Sequence, residues 1–138
     1  MEKFQKIVAT GFLVHDGKVL VVKRSEQEKF LPGNYELPGG KIEFGEDPVE
    51  GLKREFQEEV GLTIDPQRPY RTFAYVSGDG NRHTAEILYL STYSGNEDVH
   101  LSPAHTEYKW ITEAKVGSYQ ISDEIKKSII DGFAVVNR

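Results

Sequence analysis

The stretch from Asp47 to Gly61 constrains the fold most, because its two ends determine where a helix can begin and end. Asp47 is a favourable N-cap residue, and Pro48 suits the first helical position, where no backbone N–H is needed. Glu50 completes a D-x-x-E arrangement similar to a capping box. Gly61 is placed to end the helix in the left-handed conformation. The sequence therefore predicts a helix over residues 48–60. Its apolar stripe consists of Val49, Leu52, Phe56 and Val60.

Three glutamates gather on one flank of this predicted helix: Glu55, Glu58 and Glu59. Like charges three or four residues apart on a helix repel each other by about 0.2–0.5 kcal/mol per pair. Gly51 lies among them, although a glycine inside a helix costs about 1 kcal/mol relative to alanine. Both features disfavour the helix. We therefore expect another group to approach the helix closely at Gly51.

Two interpretations of the acidic flank are open at this point: a solvated surface, or a metal site. The turn-forming run Pro38-Gly39-Gly40 precedes the helix, and we expect it to form irregular backbone with bare carbonyl groups near the helix start. Carboxylate and carbonyl oxygens are the ligands that Mg²⁺ and Mn²⁺ prefer. We favour the metal site on these grounds.

The remaining segments predict strands, one loop and a second helix. Asp16-Gly17 between two β-branched runs predicts a hairpin, and Pro32-Gly33-Asn34 predicts a loop over residues 25–35. Further strands are predicted at residues 70–77, 84–93 and 107–111. This order of elements indicates the α+β class, and we expect a single domain over residues 1–138.

The second predicted helix covers residues 122–133. Ser122 or Asp123 caps its start. The helical spacing predicts that three isoleucines face the core: Ile125, Ile129 and Ile130.

Composition argues against several classes of protein. With a net charge of −5 and a pI near 5.4, the chain has no basic stripe to neutralise a nucleic-acid polymer. No apolar run approaches the roughly 20 residues needed to cross a bilayer, and the first residues lack the apolar core of a secretory signal. The absence of cysteine excludes disulfides and thiolate metal sites. We therefore expect a cytoplasmic protein that binds neither nucleic acid nor membrane.

The segment from Gly40 to Leu62 resembles the signature of the Nudix hydrolase family. Gly40 is followed after five residues by Glu46, and after seven more by the run REFQEEVGL, which ends at Leu62. The family pattern is Gly-x5-Glu-x7-Arg-Glu-U-x-Glu-Glu-x-Gly-U, where U is bulky and apolar. Phe56 stands where an aliphatic residue is commoner, and Gly51 where alanine is common. The resemblance implies the Nudix fold, an α/β/α sandwich with a mixed sheet between helices, and it favours the MutT-like branch.

The resemblance also implies a reaction: metal-dependent attack of water on the pyrophosphate of a nucleoside diphosphate linked to another group. Such transfer depends on positioning and on neutralising charge, which divalent metal ions supply. By similarity, Glu55, Glu58 and Glu59 hold Mg²⁺, or Mn²⁺ in its place, together with the carbonyl of Gly39 or Gly40.

The catalytic group implied by the resemblance comprises Glu46, Arg54, Glu55 and Glu58. Arg54 would orient a ligand carboxylate, and we favour this role over that of an ordinary helix partner of Glu58. Glu46 would support the preceding loop or a further metal ion, although its charge also suits a helix entry.

The sequence departs from some relatives at the position of the general base. Some relatives place a glutamate just before a histidine in the loop that precedes the last strand, whereas this chain has Ala104 before His105. Glu107 is nearby, but we expect it to be structural because it begins the strand. We therefore expect a glutamate of the helix to act as the base.

The residues predicted to bind substrate are Lys23, Arg24 and Tyr35. Lys23 and Arg24 end a strand and could meet phosphates, and Tyr35 could stack on a base. Three functions are consistent with the resemblance. The preferred one is hydrolysis of a (deoxy)nucleoside triphosphate to the monophosphate and pyrophosphate. The alternatives are a nucleotide-sugar or ADP-ribose pyrophosphatase, and a non-catalytic nucleotide-binding module. A homodimer is also compatible with the family.

Overall fold

The computed structural model describes residues 2–137, and the structural findings below concern that part of the chain. Two α-helices are present, α1 at Pro48–Val60 and α2 at Asp123–Val136, with a short 3₁₀ helix at Glu113–Ser118 before α2. The strands are β1 Phe4–His15, β2 Lys18–Arg24, β3 Tyr35–Glu36, β4 Gly39–Lys41, β5 Asp65–Val76, β6 Arg82–Thr92 and β7 His105–Ile111.

Strand β1 joins the two halves of one mixed sheet. On one edge it runs parallel to β6, which pairs antiparallel with β5. On its other edge it pairs antiparallel first with β4 and then with β2. Strand β2 in turn pairs antiparallel with β3 and β7. The mixed sheet and the α+β class predicted from the sequence are confirmed.

Each helix covers one face of the sheet. Helix α1 buries Leu52 and Phe56 in one apolar cluster, and α2 buries Ile129 and Phe133 in another. Glycines allow both helices to approach β1. A Cβ atom at Gly11 would lie 2.6 Å from a ring atom of Phe56, and one at Gly132 would lie 2.5 Å from the Phe12 ring. The sandwich therefore depends on small residues at both contacts with β1.

Two local predictions are confirmed closely. Helix α1 has the predicted bounds, and the Asp47 side chain accepts hydrogen bonds from the Val49 and Glu50 amides at its start. The helix ends at Gly61, whose φ of 72° lies in the left-handed region. The hairpin between β1 and β2 turns through Asp16 and Gly17, which both have positive φ, as a type I′ turn requires.

Other predictions need correction. The glycines after Pro38 do not form irregular backbone, because β4 pairs them with β1. Tyr35 belongs to β3 rather than to the preceding loop. Ile130 is 47% exposed and does not face the core, whereas Ile129 is fully buried. Ser122 holds the N-cap position of α2 but makes no side-chain cap bond.

The reciprocal bond of a capping box at α1 is also absent from the described contacts. The Glu50 side chain instead lies 3.7 Å from the Lys53 ammonium group.

Within residues 2–137, no helix combines the length and the apolar character that a membrane span needs.

Burial of Glu86 on β6 predicts a pH dependence of stability. This carboxyl group is 8% exposed and accepts one hydrogen bond, from the Thr10 hydroxyl at 3.2 Å. Burial raises the pKa of Glu86 to about 7, above the value of about 4.3 expected in an unfolded chain. Between those values the folded protein holds a proton that the unfolded chain has released, so stability falls as the pH rises.

Glu86→Gln removes this titration. Between pH 4.3 and pH 7, we expect the wild type to lose on the order of 2 kcal/mol of its free energy of unfolding relative to the variant. Urea unfolding at several pH values measures the difference. The matched control is Glu113→Gln, an exposed glutamate in the 3₁₀ helix. The prediction would be contradicted if the difference in free energy of unfolding between Glu86→Gln and the wild type did not change with pH, as we expect for the control.

Candidate active site

Arg54 on α1 binds three carboxylates at once. Its Nε and Nη2 atoms donate to both oxygens of Glu46 at 2.8 and 3.0 Å. Nη1 donates to Glu55 at 3.0 Å and to Glu58 at 3.1 Å. Nη2 also donates to the backbone carbonyl of Lys41 in β4, at 3.1 Å. The guanidinium group is therefore the counter-charge that makes this flank of the helix tolerable.

Glu46 comes from the loop between β4 and α1 and lies against Gly51. The hydrogen bond from Arg54, with a further one from the Glu43 amide, lowers the pKa of Glu46 to about 2. A Cβ atom at Gly51 would lie 2.8 Å from the Glu46 Oε1 atom and 2.6 Å from the side chain of Ile42. The expectation of a close approach at Gly51 is confirmed, and the group that approaches is the carboxylate of Glu46.

Glu55 packs beneath the second glycine of β4. It is 8% exposed, and a Cβ atom at Gly40 would lie 2.3 Å from its carboxyl carbon. Burial raises the pKa of Glu55, while the hydrogen bond from Arg54 acts in the opposite direction. Gly40 thus leaves room for an acid between the sheet and the helix.

The ladder between β1 and β4 determines which glycine carbonyl is available. The Gly11 amide donates to the Pro38 carbonyl at 3.0 Å, and Ala9 is paired with Gly40 two residues further along each strand. Backbone groups that point toward a neighbouring strand alternate with groups that point away. The carbonyl of Gly40 therefore faces β1, while that of Gly39 faces away and is left for a ligand.

Glu59 begins a series of side chains of alternating charge that runs from α1 through His105 and Glu36 to Arg24. Its Oε2 atom lies 2.8 Å from Nδ1 of His105, an ion pair rather than an aligned hydrogen bond. Nε2 of His105 lies 2.9 Å from Glu36, which also accepts two bonds of 3.3 Å from Arg24. Burial alone would lower the pKa of His105, but Glu36 and Glu59 overcome it and raise the pKa to about 9. His105 is therefore an imidazolium cation near neutral pH.

The structure brings together most of the predicted site residues: Glu46, Arg54, Glu55, Glu58, Glu59, Gly39 and Gly40. Arg24 joins them through Glu36 and His105. Glu36 and His105 are not among the site residues predicted from the sequence. Their only signal in the sequence is the position of His105 directly after Ala104, where some relatives have a glutamate–histidine pair.

Lys23 and Tyr35 lie elsewhere. Tyr35 is 7% exposed, packs edge-on against Tyr119 and donates its hydroxyl to Glu107. Lys23 is paired with both Tyr35 and Glu107 and so points to the same face of the sheet, the one covered by α2. This packing does not favour stacking of Tyr35 on a base. The bond from Tyr35 also supports a structural role for Glu107.

The acidic flank has the donors of a divalent metal site, held in place by cations of the chain. Within residues 2–137, no three acidic or histidine side chains already converge as metal ligands. The reason is visible: Glu55 and Glu58 are turned toward Arg54, and Glu59 is turned toward His105. The donor set still fits a hard cation, because it consists of carboxylates on one helix flank beside the outward carbonyl of Gly39.

Comparison with known proteins identifies this arrangement. The sequence profile of the NUDIX domain matches residues 5–132. The chain belongs to the Nudix family. As a Nudix hydrolase it is a pyrophosphohydrolase, and members of this family generally use divalent metal ions.

Individual Nudix proteins resemble the chain over nearly its whole length. Nucleoside triphosphatase NudI of Escherichia coli O81 (strain ED1a) is 27% identical over 91% of this chain and 94% of its own. The crystal structure of the MutT protein from Methanosarcina mazei Go1 has a TM-score of 0.83 and 27% identity, covering 100% of this chain and 99% of that one. An ADP-ribose pyrophosphatase from Streptococcus suis 89-1591 has a TM-score of 0.75 but 14% identity, over 96% of this chain and 92% of its own, so it shares the fold alone.

Alanine substitutions at the two glycines of β4 should destabilise the protein to different extents. A Cβ atom at Gly39 would lie 2.2 Å from the backbone oxygen of Ala9, which cannot move without disturbing the ladder. Gly39→Ala should therefore lower the free energy of unfolding by roughly 1–3 kcal/mol. Gly40→Ala should cost less, because the end of the Glu55 side chain can turn away. Urea unfolding of both variants measures these losses.

The matched control is Gly117→Ala in the 3₁₀ helix, where a Cβ atom would meet no atom within 4 Å. We expect its stability to stay within about 0.5 kcal/mol of the wild type. Equal stability of the Gly39→Ala and Gly117→Ala variants would show that the contact with β1 is looser than described.

Proposed function

We propose that this Nudix hydrolase cleaves a (deoxy)nucleoside triphosphate to the monophosphate and pyrophosphate, with Mg²⁺ as its metal ion and Mn²⁺ as a substitute. The observation that carries the proposal is the Arg54 cluster, in which one guanidinium group holds the carboxylates of Glu46, Glu55 and Glu58 beside one another. The similarity to a nucleoside triphosphatase and to a MutT protein supports the choice of substrate.

The residues that would hold the metal are Glu55, Glu58, Glu59 and the carbonyl of Gly39. A bound divalent ion would cancel phosphate charge and lower the pKa of a water ligand. Arg54 and His105 would balance the charge of the carboxylates until the ion enters, and the carboxylates would then turn toward it. Arg24 lies at the outer end of the Glu36–His105 chain and would attract the triphosphate.

We assign the general base to the helix, and we favour Glu58. A base must reach the attacking water, and Glu58 is the exposed member of the cluster, with Arg54 as its one described partner. Glu46 would position Arg54 rather than the substrate, since both of its oxygens are bound to that guanidinium group.

The extent of the domain, the location of the protein and its partners are also proposals. We propose one domain over residues 1–138, a cytoplasmic location, and no binding of nucleic-acid polymers or membranes. A homodimer also stays a prediction. The intact set of glutamates argues against a non-catalytic binding module, which would have no need of the clustered acids.

The test is a panel of nucleoside triphosphates, nucleotide sugars and ADP-ribose, incubated with the protein and Mg²⁺ while the products are separated. We expect monophosphate and pyrophosphate from a triphosphate. Glu59→Gln should reduce kcat about 100-fold or more, because one metal ligand and the partner of His105 are weakened together. The matched control is Glu50→Gln, an exposed glutamate of the same helix that pairs with Lys53 outside the cluster.

The outcomes separate the candidate functions. Cleavage of a nucleotide sugar or of ADP-ribose in preference to any triphosphate would support the alternative pyrophosphatase. Cleavage of no compound in the panel would favour a binding module. Turnover of the Glu59→Gln variant equal to that of Glu50→Gln would contradict the metal site.

A further inference from the structure

Glu86 is a buried acid that the proposed reaction does not use. It lies on β6 two residues before Leu88, and residues two apart on a strand point to the same face. Glu86 therefore points to the face of the sheet that α2 covers further along. Thr10 is its one described hydrogen-bond donor, and it bonds only the Oε2 atom. A buried carboxyl group normally has more partners than this, because its desolvation is costly.

In the part of the chain that the structure describes, residues 2–137, no cation bonds the Glu86 carboxyl group. Arg71 is near enough to influence its titration. However, the Arg71 guanidinium group is engaged by Glu124 at 2.9 Å, by the Ser128 hydroxyl at 2.8 Å and by Asp131 at 3.4 Å. The other charged groups near Glu86 are Glu36 and Glu124, which are acids. Glu86 therefore keeps an oxygen that no described donor bonds, and a ligand with N–H groups could supply one.

Aromatic side chains stand beside this acid. Phe73 is paired with Glu86 across β5 and β6, and Tyr75 follows on the same face of β5. Phe30, from the loop between β2 and β3, reaches over to Tyr75 with a distance of 6.1 Å between ring centroids. Phe30 is 49% exposed and Tyr75 is 40% exposed. Half-exposed aromatic rings can stack on a flat ligand.

The same place is connected to the catalytic cluster. Thr10, which bonds Glu86, is the register partner of Gly39, whose outward carbonyl belongs to the proposed metal site. Arg24 lies 5.9 Å from the Phe30 ring centroid and also bonds Glu36, the acid next to His105. Aromatic rings, a buried acid and the phosphate end of the site thus follow one another along the sheet.

We propose that Glu86 determines base specificity: its carboxylate accepts the adjacent N–H groups of a guanine-type base that stacks against the exposed rings of Phe30 and Tyr75. This inference rests on the proposed nucleotide hydrolysis. Guanine offers two neighbouring donors on one edge, N1–H and the exocyclic amino group. Uracil and thymine present carbonyls on both sides of their single N–H, and adenine and cytosine place a ring acceptor beside their amino group. Those edges meet a carboxylate with at least one repulsive contact.

The titration of the group agrees with this assignment. Burial raises the pKa of Glu86 to about 7, while the Thr10 hydroxyl acts in the opposite direction because it donates to the ionised form. A ligand that brings two more donors would stabilise the carboxylate further, and would gain binding free energy in return.

The experiment compares the wild type with Glu86→Gln on GTP, ATP, CTP and UTP, with Mg²⁺. We expect the wild type to favour GTP. In the variant, kcat/KM for GTP should fall about 10- to 100-fold, the range expected for a paired contact to a base edge. For UTP it should stay level or rise. Glu113→Gln is the matched control and should leave all four values unchanged. Urea unfolding checks that the Glu86→Gln variant is folded.

A second pair of variants separates stacking from reading of the base edge. Phe30→Ala and Tyr75→Ala should raise KM for all four nucleotides by similar factors, because stacking depends little on base identity. An unchanged ratio of GTP to UTP turnover in Glu86→Gln would overturn the inference while leaving the proposed function intact. A wild-type preference for ATP or CTP that depends on Glu86 would overturn the guanine assignment. A wild type that cleaves no nucleotide would overturn the proposed function, and this inference with it.

Discussion

The contact between the Arg54 guanidinium group and three carboxylates is the interaction on which the rest of the site depends. Like-charge repulsion along the helix amounts to about 0.2–0.5 kcal/mol per pair. A hydrogen bond to a charged group contributes about 1.5–3 kcal/mol when it is buried, and less at partly exposed positions such as these. One arginine with several such bonds therefore offsets the repulsion of the whole flank. Because Arg54 also binds Glu46 and the Lys41 carbonyl, the same side chain attaches the loop before α1 to the helix.

A second cation attaches the other side of the helix. His105 comes from β7 and lies between Glu59 on α1 and Glu36 on β3. Three elements that are distant in sequence are thereby held around one group of acids. Arg54 and His105 supply positive charge, to which a bound divalent ion would add. The site is consequently organised by the chain itself, through charges that the sheet and the helix bring together.

Local signals were enough to predict α1, the β1–β2 hairpin and the α+β class. Asp47, Pro48 and Gly61 act within one or two turns of the helix, and Asp16-Gly17 acts within a single turn, so no distant contact is needed to read them. The strand β4 depends instead on pairing with β1, some thirty positions earlier, and its two glycines carry no strand preference of their own. The exposure of Ile130 likewise depends on how α2 lies on the sheet.

The His105 chain and the buried Glu86 could not be assigned from local patterns for the same reason. His105 meets Glu36 across 69 positions and Thr10 meets Glu86 across 76. One sequence signal did exist for Glu86. In the run TAEILYL it has the same alternation as Leu88 and Leu90, which marks it as an acid on an apolar face.

Direct metal binding tests the central claim that the acids around Arg54 form a divalent-ion site. The measurement is the electron paramagnetic resonance signal of free Mn²⁺, recorded as the protein is added without nucleotide. The account predicts that the wild type and Glu50→Gln reduce the signal to the same extent, and that Glu58→Gln, which alters an exposed acid of the cluster, binds Mn²⁺ at least about 10-fold more weakly. Binding by Glu58→Gln as tight as that of Glu50→Gln, or an undiminished signal with the wild type, would contradict it.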